Sequence, residues 1–482
     1  MIGAFTLGDL ADELGQAVSV PLSQAAKKVA FTSVTTDSRK THSGELFIAL
    51  RGERFNGDEF VDEAFIRGAA AAVTHGFDAN NAERRLVVGD TLSALATLAR
   101  LNRQRSSATV IALTGSQGKT SVKEMIGSIL KAKAKTLVTA ENLNNTIGVP
   151  LTLLRLEDAH QFAVIEMGAN GAGEIAFSVA AARPDIALIT KASAAHIEGF
   201  GSLQGIVEAK GEIIDGLSTS GVAVLNANDP NCSQWIKRAG TRQVRLFSYG
   251  NKVPEADYRC SPTRLLTGGS VAFTLFTPQG EIEAEIQLLG SHNAENALSA
   301  AACALEAGAS LDDVRVGLRQ AAPVPGRLFP SIGREGCRLL DDTYNASPDS
   351  FNAAIDVLMS AEGEKIMVAG EMRELGDETE SSHRAVGEYA AKQGIPLLLA
   401  LGKDCEAMID AYLKAGGKKG VLFSDRATLE ADCVARASAD TVFLVKGSRG
   451  AAMETVVTAL SSEKPTQHSD SKESCSKNKQ DL

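Results

Sequence analysis

A glycine-rich loop between a predicted strand and a predicted helix constrains this chain more than any other feature. The apolar run 108–114 (ATVIALT) predicts a buried strand, and residues 122–132 (VKEMIGSILKA) predict a helix. The loop and first helical turn between them are Gly115, Ser116, Gln117, Gly118, Lys119, Thr120 and Ser121. In this context, backbone N–H groups surround a phosphate, the lysine reaches its outer oxygens, and the threonine hydroxyl ligates Mg²⁺. The sequence therefore predicts a shortened P-loop, GxxGK[ST], for ATP or GTP, with Leu113 where the longer motif has its first glycine.

The rest of the chain predicts an α/β fold with several domains. Apolar runs at 161–168, 184–190 and 221–229 resemble buried parallel strands, and Thr91–Arg105 and Asn293–Gly308 resemble helices. Alternating segments within 243–288 are typical of antiparallel strands. Five more apolar runs between residues 337 and 447 alternate with helical patterns, and the Pro/Gly-rich stretch 322–330 precedes them as a candidate linker.

These patterns divide the chain into three α/β domains and a tail. We expect domains at 1–85, 86–322 and 323–460. Residues 461–482 have almost no large apolar side chain, so we expect this tail to be disordered.

Charge and cysteine content exclude some classes of function. The net charge is -10 and no block of Lys or Arg stands out, so no nucleic-acid partner is expected. The N-terminus lacks the features of a signal peptide, and no apolar run is long enough to cross a membrane, which predicts a cytoplasmic protein. The 7 cysteines are widely spaced, which indicates reduced thiols rather than structural zinc.

Three further residues are candidates for phosphate chemistry. Glu166 ends an apolar run, so its carboxylate should emerge at the carboxyl edge of the sheet as an oxygen ligand for Mg²⁺. His196 follows the next strand and could help to hold a second ion, but taken alone it is more consistent with a hydrogen-bonded loop histidine. Lys210 lies in a predicted helix, and the residues alone favour an exposed lysine paired with Glu208 or Glu212.

From residue 35 to residue 449 the chain resembles the ATP-dependent Mur ligases of peptidoglycan synthesis. The sequences of two segments, EMGAN and NASPDSF, resemble those of the branch of this family that adds D-alanyl-D-alanine to UDP-N-acetylmuramoyl-tripeptide. The matching segments, in chain order, are TTDSR (35–39), TGSQGKTS (114–121), ENLNNTIGVPLTLL (141–154), IEMGAN (165–170), AAHIEGFGS (194–202), EAKGEI (208–213), NANDP (226–230), GSHNAENALSA (290–300), PGR (325–327), DDTYNASPDS (341–350), GEMRELGDE (370–378) and KGSR (446–449).

The resemblance implies a role for each domain and for individual residues. It implies a small mixed α/β UDP-binding domain, a central P-loop mononucleotide-binding α/β domain and a C-terminal Rossmann-like α/β domain. It makes Lys119, Glu166, His196 and Lys210 catalytic. Thr120, Glu166 and His196 would hold Mg²⁺ together with Lys210, the latter carbamylated to N6-carboxylysine. Beyond the P-loop residues Gly115 to Ser121, the implied ATP contacts are His292, Asn296, Arg327, Asp342, Tyr344 and Asn345. The implied UDP-sugar contacts are Ser38, Arg39, Leu46 and Phe47.

Two segments depart from the family pattern. Asn56-Gly57-Asp58 stands where the family has Asp-Gly-His, and Lys191 stands where it has asparagine. Neither position belongs to the catalytic set, but both affect expectations about nearby substrate contacts.

The resemblance implies a monomeric, ATP-dependent carbon–nitrogen ligase that forms an amide through an acyl phosphate and releases ADP and phosphate. The partners would be ATP, UDP-N-acetylmuramoyl-tripeptide and D-alanyl-D-alanine. One alternative is another amide ligase of the same superfamily, adding a single diamino acid or adding glutamate to folate. Another is a regulatory protein that hydrolyses ATP or GTP slowly and independently of any amine.

Overall fold

The computed structural model describes residues 1–52, 55–78, 81–193, 197–250, 252–266 and 270–461. Backbone contacts divide these residues into two units. The first comprises Met1–Val324 with Glu374–Glu378, and the second comprises Pro325–Arg373 with the described residues from Thr379 onward. Residues 462–482 lie outside the described part, so the disorder of the tail stays a prediction.

The first unit begins with a small parallel sheet and an antiparallel pair of strands. Its elements are β1 Phe5–Thr6, α1 Leu7–Leu14, α2 Gln24–Lys27, β2 Ala30–Phe31, β3 Val34–Thr35, β4 Leu46–Ile48, α3 Val61–Ile66, β5 Ala71–Thr74, β6 Arg85–Val87 and α4 Thr91–Arg105. The parallel sheet has the order β3-β4-β5-β6. Helix α4 has the predicted bounds, and it begins where the Asp90 carboxylate accepts a hydrogen bond from the N–H of Leu92. The predicted boundary after residue 85 falls at β6, and its exact position stays a prediction.

A large sheet occupies the rest of the first unit. Its elements and the helices around it are β7 Thr109–Thr114, α5 Lys119–Lys133, β8 Thr136–Val138, α6 Gly148–Leu153, β9 Phe162–Glu166, α7 Glu174–Ala182, β10 Ile186–Ile189, α8 Ile197–Phe200, α9 Leu203–Asp215, β11 Val222–Asn226, α10 Cys232–Ala239, β12 Gln243–Tyr249, β13 Tyr258–Cys260, β14 Arg264–Leu265, β15 Val271–Thr277, β16 Gly280–Ile286, α11 Ser291–Glu306 and α12 Leu311–Gln320. Among the described residues the main strand order is β14-β15-β13-β12-β11-β10-β7-β9-β8, with β16 paired to β15.

Burial on both faces of the sheet explains why these strands are continuous apolar runs in the sequence. In β7, Val110 and Ala112 pack into the cluster that contains α4, α6, α7 and α9. Ile111 and Leu113 point to the opposite face, where α5, α11 and α12 cover the sheet. A parallel strand buried on both faces has no polar side to alternate with its apolar side.

Two of the segments predicted to be antiparallel are confirmed, and the parallel part of the sheet extends further than predicted. Strands β15 and β16 pair antiparallel from Val271 with Ile286 to Thr277 with Gly280. However, β12 pairs parallel with β11, and β13 pairs parallel with β12. The antiparallel extension therefore begins at β15 rather than at residue 243.

The second unit contains a six-stranded sheet among the residues described. Its elements are β17 Phe329–Ile332, β18 Arg338–Asp342, α13 Pro348–Ser360, β19 Glu364–Gly370, α14 Thr379–Gln393, β20 Leu397–Leu401, α15 Cys405–Lys414, β21 Gly420–Phe423, α16 Arg426–Ala435, β22 Thr441–Lys446 and α17 Glu454–Leu460. The order is β17-β18-β22-β19-β20-β21, in which only β17 runs antiparallel to its neighbour. All five strands predicted between residues 337 and 447 are present, and the end of the predicted linker forms the start of β17.

The described cysteines and helices agree with two expectations from the sequence. The cysteines at 232, 260, 303, 337, 405 and 433 are free and buried, and Cys475 lies outside the described part. Among the helices that the structure describes, none has the length and apolar character that crossing a bilayer requires.

Candidate functional site

The glycine loop adopts the geometry that the motif predicts. It joins the end of β7 to the start of α5, with φ of +155° at Gly115 and +79° at Gly118. A Cβ atom on Gly118 would lie 2.5 Å from Oδ1 of Asn296, and one on Gly115 would overlap Oγ1 of Thr190. Both positions therefore require glycine, for backbone conformation and for space.

The end of the neighbouring strand holds the loop in place. Oγ1 of Thr190 donates to the carbonyl of Gln117 at 2.6 Å, and the N–H of Ser116 donates to the carbonyl of Lys191 at 2.7 Å. The Lys119 ammonium donates to the carbonyl of Gly115 at 2.6 Å, across the mouth of the loop. Ser121 lies half-buried in the first turn of α5. The lysine and the N-terminus of α5 thus share one end of the helix, as phosphate binding requires.

Glu166 lies where the sequence predicts, as the last residue of β9 and 1% exposed. Its Oε1 accepts from Oγ1 of Thr120 at 3.3 Å and from Nδ2 of Asn144 at 2.8 Å. Its backbone N–H donates to Oγ1 of Thr139 at 3.0 Å. The carboxylate is therefore held against the first turn of α5, beside the P-loop threonine.

The second oxygen of this carboxylate tests whether the site fits a magnesium ion. Oε2 of Glu166 is buried and has no hydrogen-bond partner among the described residues. A buried carboxylate oxygen without a partner is costly unless a proton or a cation satisfies it. With the Thr120 hydroxyl adjacent, the donor set consists of hard oxygens, which fits Mg²⁺. Within the part of the chain that is described, no cluster of three or more His, Cys, Asp or Glu side chains provides a metal site.

Lys210 is buried. The prediction from the residues alone, an exposed lysine paired with a neighbouring glutamate, is therefore wrong. Its side chain is on the face of α9 that packs into the core, and the residue is 5% exposed. Glu212 instead accepts hydrogen bonds from the N–H groups of Gly173 and Ala176 at the start of α7. Glu208 accepts from the side chain of Gln204.

The Lys210 ammonium is in an environment that disfavours its charge. Its Nζ lies over the ring of Phe200, 5.9 Å from the ring centroid. Burial, together with the nearby Lys119 ammonium, lowers the pKa of Lys210 to about 7. A large fraction of this amine is therefore neutral, and nucleophilic, near neutral pH.

Three other candidate residues, His196, His292 and Asn296, belong to the central part of the chain. His196 lies outside the described residues. His292 and Asn296 both lie in the first turns of α11, and Nδ2 of Asn296 donates to Oδ1 of Asn293 at 3.0 Å. Because Asn296 also abuts Gly118, helix α11 places this amide directly against the P-loop.

In the second unit, Arg327 precedes β17, Asp342 is the last residue of β18, and Tyr344 and Asn345 follow that strand. The Arg327 guanidinium lies over the Tyr344 ring, 4.2 Å from its centroid. Oδ2 of Asp342 accepts from the buried Lys446 ammonium at 2.6 Å, and Oδ1 accepts from the N–H of Leu328 at 3.1 Å. The Asn345 carbonyl accepts from the same ammonium at 2.9 Å. Asp342 is thus held by an ion pair that the sequence analysis did not predict.

The predicted UDP-sugar residues show two kinds of environment. Ser38 donates to Glu63 at 2.8 Å, and the exposed Arg39 pairs with Asp37 at 2.9 Å. Leu46 and Phe47 belong to β4, where their side chains are 0% and 2% exposed. Both residues are buried, backbone included, in a strand paired on both sides with β3 and β5, so the structure does not support a ligand contact by Leu46 or Phe47.

Both departures from the family pattern have local structural roles. The Asp58 carboxylate accepts from the N–H groups of His75 and Gly76, each at 3.1 Å, so it closes the turn after β5. Lys191 supports the P-loop through its backbone carbonyl, a contact that does not depend on its side chain.

Comparisons with known proteins match three consecutive parts of the chain. Three family models match: "Mur ligase family, catalytic domain" at residues 30–103, "Mur ligase middle domain" at 113–304, and "Mur ligase, glutamate ligase domain" at 326–449. Together they confirm the predicted architecture of three α/β domains.

Individual relatives and solved structures indicate the same family as the three family models. The chain is 44% identical to the UDP-N-acetylmuramoyl-tripeptide–D-alanyl-D-alanine ligase of Escherichia coli, over 90% of this chain and 94% of that protein. It is 36% identical to the ligase of the same name from Bacillus subtilis, over 89% and 92%. A crystal structure of MurF from Acinetobacter baumannii matches with a TM-score of 0.85 and 36% identity, covering 95% of this chain and 99% of that one. MurF ligase from Thermotoga maritima in complex with ADP matches with a TM-score of 0.79 and 27% identity, over 91% and 98%. On this evidence, the chain belongs to the Mur ligase family.

Proposed function

We propose that the chain is an ATP-dependent amide ligase that joins D-alanyl-D-alanine to UDP-N-acetylmuramoyl-tripeptide in peptidoglycan synthesis. The observation that carries the proposal is the P-loop whose threonine contacts a buried carboxylate with one unsatisfied oxygen. The names of the relatives from Escherichia coli and Bacillus subtilis supply the substrates. We also propose that the protein is a cytoplasmic monomer without nucleic-acid or membrane partners.

The chemistry requires activation of a carboxylate, because oxide is too poor a leaving group for an amine to displace. The terminal carboxylate of the tripeptide attacks the γ-phosphorus of ATP, which forms an acyl phosphate and releases ADP. The amine of D-alanyl-D-alanine then attacks the acyl carbon, and the tetrahedral intermediate expels phosphate as the amine loses a proton. Lys119 and the N-terminus of α5 stabilise the charge that develops on the transferred phosphoryl group.

We propose Thr120, Glu166, His196 and carbamylated Lys210 as the residues that hold Mg²⁺. A bound Mg²⁺ would neutralise negative charge on the phosphates. The Thr120 hydroxyl and the free Oε2 of Glu166 are oriented by contacts of the protein itself, so the site is preformed on the side of the P-loop.

The lowered pKa of Lys210 supports carbamylation. Its neutral amine attacks carbon dioxide, an N–C bond forms, and the nitrogen loses a proton to solvent, which leaves an anionic carbamate. An ordinary exposed lysine is almost wholly protonated at neutral pH and reacts poorly, whereas an amine with a pKa of about 7 is largely reactive at pH 8. The product converts a buried cation into an oxygen ligand.

We also propose which residues make the remaining contacts with the nucleotide and the UDP-sugar. We propose that His292 and Asn296 contact the adenine, and that Arg327, Asp342, Tyr344 and Asn345 contact the nucleotide. In the first part of the chain, Ser38 and Arg39 are the candidates for UDP-sugar contacts.

The experiment combines purified protein, Mg-ATP and UDP-N-acetylmuramoyl-tripeptide, and measures phosphate release with and without D-alanyl-D-alanine. We expect release to require both partners and the product to be heavier by the dipeptide less water. Lys119→Ala is expected to lower turnover by about 10²- to 10³-fold, because it removes charge stabilisation from the transition state. Lys131→Ala, an exposed lysine near the end of the same helix, is the control and should retain turnover.

Two results would contradict the proposal. Phosphate release that ignores both partners would identify a nucleotide hydrolase, and ligation of a single diamino acid or glutamate would identify another amide ligase. Full turnover by Lys119→Ala would refute the assignment of the phosphate site.

A further inference from the structure

A second lysine of helix α5, Lys123, is buried beneath the candidate metal site. It lies one turn after Thr120 on the same side of the helix and is 1% exposed. Its ammonium donates to the carbonyl of Thr139 at 2.9 Å and pairs with the Glu124 carboxylate at 2.7 Å. Burial of an ammonium is costly unless it is paired and hydrogen-bonded, and Lys123 has both kinds of partner.

The residue that receives this hydrogen bond also holds Glu166. Thr139 is 1% exposed and follows strand β8. Its Oγ1 accepts from the backbone N–H of Glu166 at 3.0 Å, and its own N–H donates to the carbonyl of Val164 at 3.0 Å. One threonine therefore connects the Lys123 ammonium to the strand end that carries the candidate metal ligand.

The contacts form a closed ring that starts and ends on α5. From Lys123 the ring passes through Thr139 to the backbone of Glu166. The Glu166 carboxylate then returns to α5 through the hydroxyl of Thr120. Because Lys123 and Thr120 are fixed relative to each other by one turn of helix, the ring sets the distance between the P-loop threonine and the end of β9.

We propose that Lys123 is a positioning residue for the divalent metal ion, acting through Thr139 to hold the Glu166 carboxylate against Thr120. The inference rests on the proposed function, since it takes Glu166 as a metal ligand. Partners of metal ligands typically contribute about 10- to 100-fold to metal affinity when they are removed. Lys123 should therefore affect metal binding far more than nucleotide binding.

The test measures binding of Mn²⁺, a paramagnetic substitute for Mg²⁺, in the presence of ADP by electron paramagnetic resonance, so no turnover is needed. Lys123→Met removes the charge and the donor while keeping a long apolar chain. We expect Mn²⁺ to bind about 10- to 100-fold more weakly, with ADP affinity in EDTA unchanged. Lys131→Met, exposed on the same helix, should bind both as the unmodified protein does.

Two substitutions of Thr139 test the contact between Thr139 and Glu166 by itself. They also test the proposal if the Lys123→Met variant does not fold. Thr139→Val removes the hydroxyl that accepts from Glu166, and Thr139→Ser keeps it. We expect weaker Mn²⁺ binding for the valine variant alone, and no further loss when it is combined with Lys123→Met, because both changes break the same ring.

The outcomes separate this inference from the proposed function. If Lys123→Met or Thr139→Val folds and binds Mn²⁺ with unchanged affinity, the positioning role is refuted. Equal losses of Mn²⁺ and of ADP affinity in EDTA would also refute it, because they indicate a general structural role. If Glu166→Gln binds Mn²⁺ as tightly as the unmodified protein, the metal role in the proposed function fails instead.

Discussion

Replacing Lys210 by methionine should abolish ligation and yet stabilise the fold. The side chain is buried in the face of α9 that packs into the core, where its ammonium loses hydration and gains no ion pair among the described residues. Methionine fills a similar volume without a charge. It also cannot form a carbamate, so the variant should be inactive for a chemical reason rather than through unfolding.

The size of the effect follows from the pKa of Lys210. A shift of one pKa unit corresponds to about 1.4 kcal/mol, so a change from 10.5 to about 7 corresponds to a burial cost of about 5 kcal/mol. This cost is fully present below pH 7, where the folded protein must carry the charge. Between pH 7 and pH 10.5 the unfolded chain holds a proton that the folded chain lacks, so stability rises with pH by about 1.4 kcal/mol per unit. Above pH 10.5 the amine is neutral in both states and the cost disappears.

The single tryptophan of the chain provides a local probe of this effect. Trp235 is 1% exposed on α10, and its Nε1 donates to the carbonyl of Val207 on α9 at 3.0 Å. Its fluorescence therefore reports unfolding of the region around Lys210. We would follow urea unfolding at pH 7 and at pH 9.5 in buffers free of carbon dioxide, with Lys131→Met as the exposed control.

The stability advantage of Lys210→Met over the unmodified protein should shrink by about 3 kcal/mol from pH 7 to pH 9.5. The control variant should show no such pH dependence. A destabilised Lys210→Met variant, or an advantage that is constant across this range, would refute the argument, because the ammonium would then be charged and satisfied in the folded state.

Two further substitutions test other parts of the structure. Gly118→Ala should weaken ATP binding, measured by calorimetry, by about tenfold or more, because its Cβ would meet the Asn296 side chain at a φ of +79°. Gly173→Ala is the control, since Gly173 has a similar φ of +85° but open space around it, and this variant should keep the ATP affinity. Asp342→Asn should destabilise the second unit by about 3–5 kcal/mol in denaturant unfolding, because it leaves the Lys446 ammonium buried without its carboxylate. Addition of Lys446→Met should restore most of that loss, and a double variant as unstable as the single one would contradict this reasoning.

The central sheet and the P-loop could be predicted because their signals are local. Strand β7 is an unbroken apolar run, and the loop after it requires glycine at two positions for reasons of backbone geometry. The position of Glu166 follows in the same way, since a polar residue that ends a buried parallel strand emerges at the carboxyl edge of the sheet.

The burial of Lys210 had a signal in the sequence that the ion-pair interpretation overlooked. Ile206, Val207, Ile213 and Ile214 each lie three or four residues from Lys210 along α9, so Lys210 falls in the middle of an apolar stripe. A lysine at such a position is expected to point into the core. The glutamates at 208 and 212 lie off the stripe; Glu212 accepts from the start of α7, and Glu208 accepts from Gln204 in the preceding turn of α9.

The contacts between distant segments could not be predicted from one sequence. Thr139, Asn144 and Thr190 reach the site because β8, β9 and β10 are ordered in space differently from their order along the chain. The pair between Asp342 and Lys446 depends on β22 lying next to β18, although about 100 residues separate them in the chain. Local patterns contain no information about which strands become neighbours.

The most direct test of the account follows an oxygen atom from substrate to phosphate. The terminal carboxylate of UDP-N-acetylmuramoyl-tripeptide is labelled with ¹⁸O and incubated with the protein, Mg-ATP and D-alanyl-D-alanine, and the released phosphate is analysed by mass spectrometry. If the carboxylate attacks ATP to form an acyl phosphate, each phosphate released carries one labelled oxygen and the amide product retains the other. Unlabelled phosphate formed alongside the amide would contradict activation through an acyl phosphate, and with it the role assigned to the P-loop site.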